Sequence, residues 1–389
     1  MNFSQKYARS VMAAAAAAAL VSGGCGRSDG TAEYEAGVKA FEGGNFNEAR
    51  DKFSKSLEYG PENASAAIML ARTLVASGDL KAASAAAEKA MELAPGDADA
   101  VMTAAQTAFY ARNYALARKL FGELASKPGY TPQIRSAALA SLAVVDIACI
   151  SGRDMEYFRE SARTGLLLAI RSDPRNAAAR YHLALLYRDS YGYAESALDQ
   201  FELYARLDRK DAARVERTRT KTIPELRETI AKNPQRSAER RDSLLSAKEL
   251  RNAETARAKG DFKAARKAYE RARRADALNF QAVMGLAETS YRASPTKAGA
   301  TEAFRLCREA WGLRPTSKEA LVKAGEYALR AGNAAGAVEA YSRALAAAPN
   351  DAATAAALAN AFVKNGKRRA AEPVARYARE LSRAKTGVR

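Results

Sequence analysis

ASAAIMLARTLVASGDLKAASAAAEKAMELAPGD, residues 64–97, is one copy of a pattern that the chain before and after it repeats every 34 residues. Gly37, Ala71 and Ala105 stand in step, as do Ala49, Ala83 and Ala117. Gly44-Asn45, Gly78-Asp79 and Arg112-Asn113 share one turn, Phe53, Ala87 and Phe121 one slot of a second helix, and Pro61 and Pro95 its end. A fixed period of this length is the mark of stacked units, each too small to bury its own apolar face. Two helices that cross closely need a small residue where the backbones approach and a bulky one where the gap widens. Gly37 or Ala71 meets the first need, and Phe46, Leu80 and Tyr114 begin the second helix just past the turn. Proline at 61 and 95 cannot donate to the preceding turn and pushes its predecessor out of helical geometry. Each unit therefore reads as helix, turn, helix, stop.

The spacing resembles the tetratricopeptide repeat, with its small eighth residue, alanine at twenty, aromatic at twenty-four, small residue at twenty-seven and proline at thirty-two. The resemblance implies an all-α fold, a right-handed α-solenoid of about nine helix-turn-helix repeats in two arrays. Repeats start near 30, 64 and 98, a longer fourth ends at Pro174, and a fifth carries Ala184, Tyr187, Ala197 and Phe201, so the first array spans 32–208. The pattern resumes at Ala253, Gly260-Asp261, Ala265 and Tyr269, and is cleanest at Gly325, Gly332-Asn333, Ala337, Tyr341 and Pro349, which gives a second array over 251–389 with a basic tail. Pro373 falls inside the second helix of the last repeat, where a kink, a shortened helix or a helix that starts there is expected. Residues 209–250 carry 12 Lys or Arg and 7 Asp or Glu and no clean copy of the template, and read as a charged helical spacer.

At the amino terminus Lys6 and Arg9 precede an apolar run from Val11 to Val21, followed by Ser22-Gly23-Gly24-Cys25. Eleven apolar residues are too few to span a bilayer and fit the core of a secretory signal. The segment resembles a bacterial lipoprotein signal, which implies removal of residues 1–24, a lipid such as palmitate and diacylglyceryl on Cys25, and a polar tether over 25–31. Ser22 departs from the leucine preferred three residues before the cysteine, so an ordinary secretory signal stays open. Gly26 rather than aspartate after the cysteine leans, by the same resemblance, towards the outer membrane, and the expected location is the periplasmic face of the cell envelope.

Charge is divided unevenly. Residues 32–208 hold 20 basic and 23 acidic side chains, whereas 209–389 hold 39 and 20, so the second half, at +19, carries all of the chain's net +18. A basic half beside a membrane could meet anionic lipid or polymer, by attractions that fade with salt, or simply keep an alanine-rich rod soluble. Nucleic acid is set aside for a chain directed out of the cytoplasm.

Catalytic signals are sparse. One histidine, His182, cannot build a multi-histidine metal site, and no phosphate-binding loop of the P-loop kind or zincin motif occurs. Ser294-Pro-Thr-Lys297 and Lys385-Thr-Gly387 mimic two elements of penicillin-binding enzymes, but proline separates the serine from the lysine and no sheet is expected to carry the second. The three cysteines form no disulfide framework, and Cys307 falls in the aromatic slot of its repeat as a buried thiol. No metal, cofactor or enzyme activity is expected.

The tetratricopeptide resemblance instead implies a concave face, lined by the first helices, that holds a peptide or partner helix. Its template places Tyr34, Arg72, Gln106, Tyr181, Arg188, Glu254, Arg257, Glu288, Tyr291 and Arg330 there, residue types that anchor interfaces or solvate the inner face. The lysine and asparagine clamp by which some members hold a terminal carboxylate is not reproduced, since the matching pairs read Tyr34 and Val38, Ile68 and Arg72, or Val322 and Glu326. The expected role is a non-catalytic scaffold holding envelope proteins in assembly, secretion or pilus biogenesis. The alternative is an exopolysaccharide export or peptidoglycan-associated factor that binds anionic polymer through its basic half.

Overall fold

The computed structural model describes residues 30–150, 154–209, 211–232 and 242–385. The expected signal, Cys25 and most of the tether lie outside them. Among the described residues every regular element is a helix, and none is long and apolar enough to cross a membrane.

By packing, the chain forms two units, 1–182 with 207–211 and 183–206 with 212–389. The first unit contains α1 (Thr31–Glu42), α2 (Phe46–Tyr59), α3 (Ala64–Ser77), α4 (Leu80–Leu93), α5 (Ala98–Tyr110), α6 (Tyr114–Ser126), α7 (Pro132–Ala148) and α8 (Met155–Ser172). Consecutive helices pack on one another throughout, and the first helices α1, α3, α5 and α7 also touch in series. The helix α9 (Ala177–Leu186) runs from the first unit into the second and ends in a π turn, Tyr187–Tyr191, before α10 (Ala194–Leu207).

The 209–250 stretch is helical where described. It forms α11 (Ala212–Arg217), a π turn Thr218–Thr222 and α12 (Ile223–Ala231). The second array follows as α13 (Ser243–Ala258), α14 (Phe262–Ala275), α15 (Phe280–Ala293), α16 (Lys297–Leu313), α17 (Lys318–Arg330), α18 (Ala334–Ala347), α19 (Ala352–Lys364) and α20 (Arg368–Lys385), again packed in sequence order.

Local chemistry explains the boundaries. Asn63, Asp79, Asp97, Asn113, Asp261, Asn279, Ser317 and Asn333 each cap a helix by accepting from a backbone N–H three residues on. Each cap is worth about 1 kcal/mol. The turn before the second helix needs a left-handed residue, which Gly44, Gly78, Gly260, Gly332 and Gly366 supply at no steric cost, while Arg112 takes the same role at φ 61°.

The aromatic slot is buried as its spacing predicts. Phe53, Phe121, Phe201, Tyr269 and Tyr341 are at most 3% exposed, so truncating any of them costs about 3–5 kcal/mol. A methyl added to Gly37 would lie 2.7 Å from the Phe53 ring, and one on Gly325 2.6 Å from Tyr341, which is why a small eighth residue faces the aromatic. Between repeats a second lock recurs. Ser246 donates to the Ala272 carbonyl at 2.9 Å and accepts from Asn279 at 2.9 Å, and Ser136 does the same with Ala169 and Asn176.

Pro373 neither starts nor shortens α20, which continues through it to Lys385. So near the N-terminus proline sacrifices one helical hydrogen bond, and burial of Pro373 and Val374 holds the helix in place. Ser294 ends α15 and Lys297 starts α16, so the two do not share a helical turn.

The second unit departs from a simple stack of neighbours. The Tyr193 ring, 7% exposed, lies 4.7 Å from the Arg343 guanidinium of α18, and the same guanidinium lies 5.7 Å from Trp311 of α16. Glu195, Leu198 and Asp199 of α10 and Ile230 of α12 line one recess with Leu313–Ser317, between α16 and α17. Residues 187–206 thus strap the side of the second helices, and α18 is buried on nearly all sides, Ser342 and Ala346 included.

Candidate functional site

The repeat register brings selected side chains of the first helices together. In the first unit Tyr34 packs on Phe53 with ring centroids 5.8 Å apart and lies within electrostatic reach of Arg72 and Asp99. Burial raises its hydroxyl pKa above the usual tyrosine range, an effect the Arg72 charge opposes. Arg72 donates from Nε to Thr103 Oγ1 at 3.1 Å and pairs with Asp99 at 3.5 Å, so α1, α3 and α5 share one polar strip. Gln106 is half-buried, at helical spacing from Asp99 and Thr103 on α5. Tyr181 stacks edge-on against His182, which is 2% exposed and serves packing. Arg188, already in the second unit, is drawn to Asp189 at 2.5 Å and lies 5.6 Å from the Phe201 ring.

The second unit carries the denser constellation. Arg257 of α13 forks onto Glu254 at 2.6 Å and reaches Glu288 of α15 at 3.4 Å, and Glu288 in turn accepts from Arg292 at 2.9 Å. Tyr269 donates its hydroxyl to Glu254 at 2.5 Å. Burial alone would raise the Glu254 carboxyl, but Tyr269 and Arg257 donate to it and hold it below the usual carboxylate range. Beside this ladder Tyr291 and Tyr327 stack at 5.3 Å, and Arg330 lies over both rings at 5.3 and 5.5 Å. Glu326 accepts from Lys323 at 3.1 Å and pairs with Arg330 at 3.5 Å. A recess of about 370 Å³ opens between these groups, with Glu254, Arg257, Glu288, Lys323 and Tyr327 on its walls and Met284 and Cys307 among its lining.

The sequence template thus named Glu254, Arg257, Glu288, Tyr291 and Arg330 in one neighbourhood, and Tyr34 and Arg72 in another. It did not name Asp99, Thr103, Lys323 or Tyr327, and it placed Glu326 only among the pairs matched to the carboxylate clamp. Lys323 and Tyr327 lie at positions the template treats as helix packing. Tyr269 was read only as a core aromatic. Its ring lies over Gly285 of α15, where an added methyl would lie 2.2 Å from it, and its hydroxyl reaches Glu254.

Burial pushes the Cys307 thiol up to about 12, which keeps it protonated and inert at neutral pH. Among the described residues no group of three His, Cys, Asp or Glu side chains could hold a metal ion.

Tetratricopeptide-repeat family models match residues 40–88 and residues 250–313, one stretch in each unit. Those two stretches match the tetratricopeptide repeat. Solved structures similar to it include the pilF protein of Pseudomonas aeruginosa, 16% identical over 67% of this chain and 97% of that one, with a TM-score of 0.40. MamA from Desulfovibrio magneticus RS-1 is 14% identical over 48% of this chain and 98% of that one, TM-score 0.37. A Cut9–Hcn1 hetero-tetramer of the APC/C is 14% identical over 93% and 89%, TM-score 0.40. No curated protein matches the sequence.

Proposed function

We propose that this tetratricopeptide chain is a non-catalytic scaffold whose first-helix faces hold partner peptides or helices, the second unit's face being the principal site. The carrying observation is the side-by-side placement of the Glu254–Arg257–Glu288–Arg292 ladder and the Tyr291–Tyr327–Arg330 stack around an open recess. Stacked tyrosine and arginine supply anchor area at low entropic cost, and the ladder fixes the register of a polar partner. Residues 6–25 support a place in the cell envelope through their likeness to a lipoprotein signal with Cys25 as the acylated residue, and hence partners in envelope assembly, secretion or pilus biogenesis. The net positive charge of 209–389 favours a second reading, in which anionic polymer is bound.

Crosslinking and affinity capture from native envelopes separates the two. With the Arg257→Ala/Arg330→Ala variant beside the parent chain, the scaffold reading expects a discrete protein set that survives high salt and is lost in the variant. Recovery of anionic polymer alone, released by salt and indifferent to the variant, would overturn it.

A further inference from the structure

The helix α20 is amphipathic with an uneven outer face. Ala370, Val374, Tyr377, Ala378 and Leu381 are buried, and the Tyr377 hydroxyl donates to the Pro349 carbonyl at 2.7 Å, which fixes the helix about its axis. The exposed side carries Arg368, Arg369, Arg376, Arg379 and Arg383, with Glu372 among them. At 100° per residue these five guanidinium stems fall within an arc of about 100°, along a row of about 22 Å. Elsewhere in the second unit several exposed arginines are drawn onto carboxylates, as Arg271 is to Glu249 at 2.8 Å, Arg274 to Glu270 at 2.8 Å and Arg305 to Glu302 at 2.7 Å, while Arg251 and Arg266 stand apart from one another on separate helices without such a pair among the described residues. On α20 Arg383 meets Glu380 at 3.3 Å, whereas no described carboxylate pairs with Arg376 or Arg379.

We infer that the outer face of α20 is a docking surface for an anionic phospholipid bilayer. Planar guanidinium forks match phosphate oxygens in pairs. A straight row on a convex helix fits an extended charged plane, and it offers no groove for a polymer chain. The helix is already ordered by its buried side, so contact costs little backbone entropy. The row presents no large apolar side chain to insert, so attachment is electrostatic and salt-sensitive. This inference is independent of what the first-helix faces hold.

Co-sedimentation of the full chain with sucrose-loaded vesicles tests it, using phosphatidylcholine alone and phosphatidylcholine with about 40% phosphatidylglycerol, at low and high salt. The parent chain is expected to sediment more with the anionic vesicles, and to lose that excess at high salt. Arg376→Gln/Arg379→Gln/Arg383→Gln should weaken the excess about a hundred-fold, at about one kcal/mol for each cation and tenfold for each 1.4 kcal/mol. Arg266→Gln/Lys267→Gln on α14 is the matched control and should change it little. Thermal melts confirm folding, and Arg368→Gln/Arg379→Gln replaces the triple variant if that one does not fold. An excess unchanged in the α20 variants, reduced equally in the control, or absent from the parent overturns the inference. Displacement of the vesicles by soluble polyglutamate at equal charge would assign the row to an acidic macromolecule and also overturn it.

Discussion

A single residue shows what the repeat demands of its turns. Arg112 occupies the left-handed position that glycine fills in five other turns, and its side chain is exposed. A non-glycine residue there carries a steric penalty, so Arg112→Gly should raise the stability of the first unit by about 0.5–1 kcal/mol despite the entropy glycine adds to the unfolded chain. Urea denaturation checks it, and a loss of stability would show that the arginine side chain contributes more than the turn costs. The turn itself was legible, because Arg112-Asn113 stands in register with Gly44-Asn45 and Gly78-Asp79. The candidate site was only half legible. Positions such as Arg257 and Arg330 follow from the template, whereas the Tyr269 hydroxyl meets Glu254 because of how a ring packs, which no spacing encodes.

Between helices, the longer fourth repeat is joined by a buried polar cluster. Arg118 of α6 donates to Asp146 of α7 and to the Tyr157 hydroxyl of α8 at 3.3 Å, and Ser161 of α8 donates to Asp146 at 2.5 Å. Burial pushes the Asp146 carboxyl up to about 6, against the opposing pull of Arg118 and Ser161. A carboxyl whose folded pKa is raised makes the folded state hold more protons than the unfolded one between the two values. Its contribution is therefore fully present below about 4 and is lost as pH rises through about 6. Relative to Asp146→Asn, the parent chain should lose about 2–3 kcal/mol of stability between pH 4 and pH 7. Paired melts of the two proteins across that range measure it, and parallel curves would mean that Asp146 stays ionised throughout. The helix pair was readable from the sequence, but the cluster was not, since nothing in the repeat template marks Asp146.

At the scale of the molecule, the strap is the feature that periodicity could not show. Neighbouring repeats leave a pattern, but Tyr193 meets Arg343 across about 150 residues of chain. The trace it leaves is compositional: α18 has little polar outer surface because residues 187–206 and α16 cover it. Tyr193→Ala should destabilise the second unit by about 2–4 kcal/mol through lost burial and lost cation–π contact. Hydrogen exchange should then rise in α16 and α18 and stay unchanged in α1 to α6. A rise confined to 187–206 would show that the strap is held by the array without stabilising it. The same feature sets a timetable for synthesis. A ribosome adding about 5–20 residues per second delivers Arg343 roughly eight to thirty seconds after Tyr193. For that interval the nascent strap lacks the helices it covers, and its tyrosines need shelter from other chains.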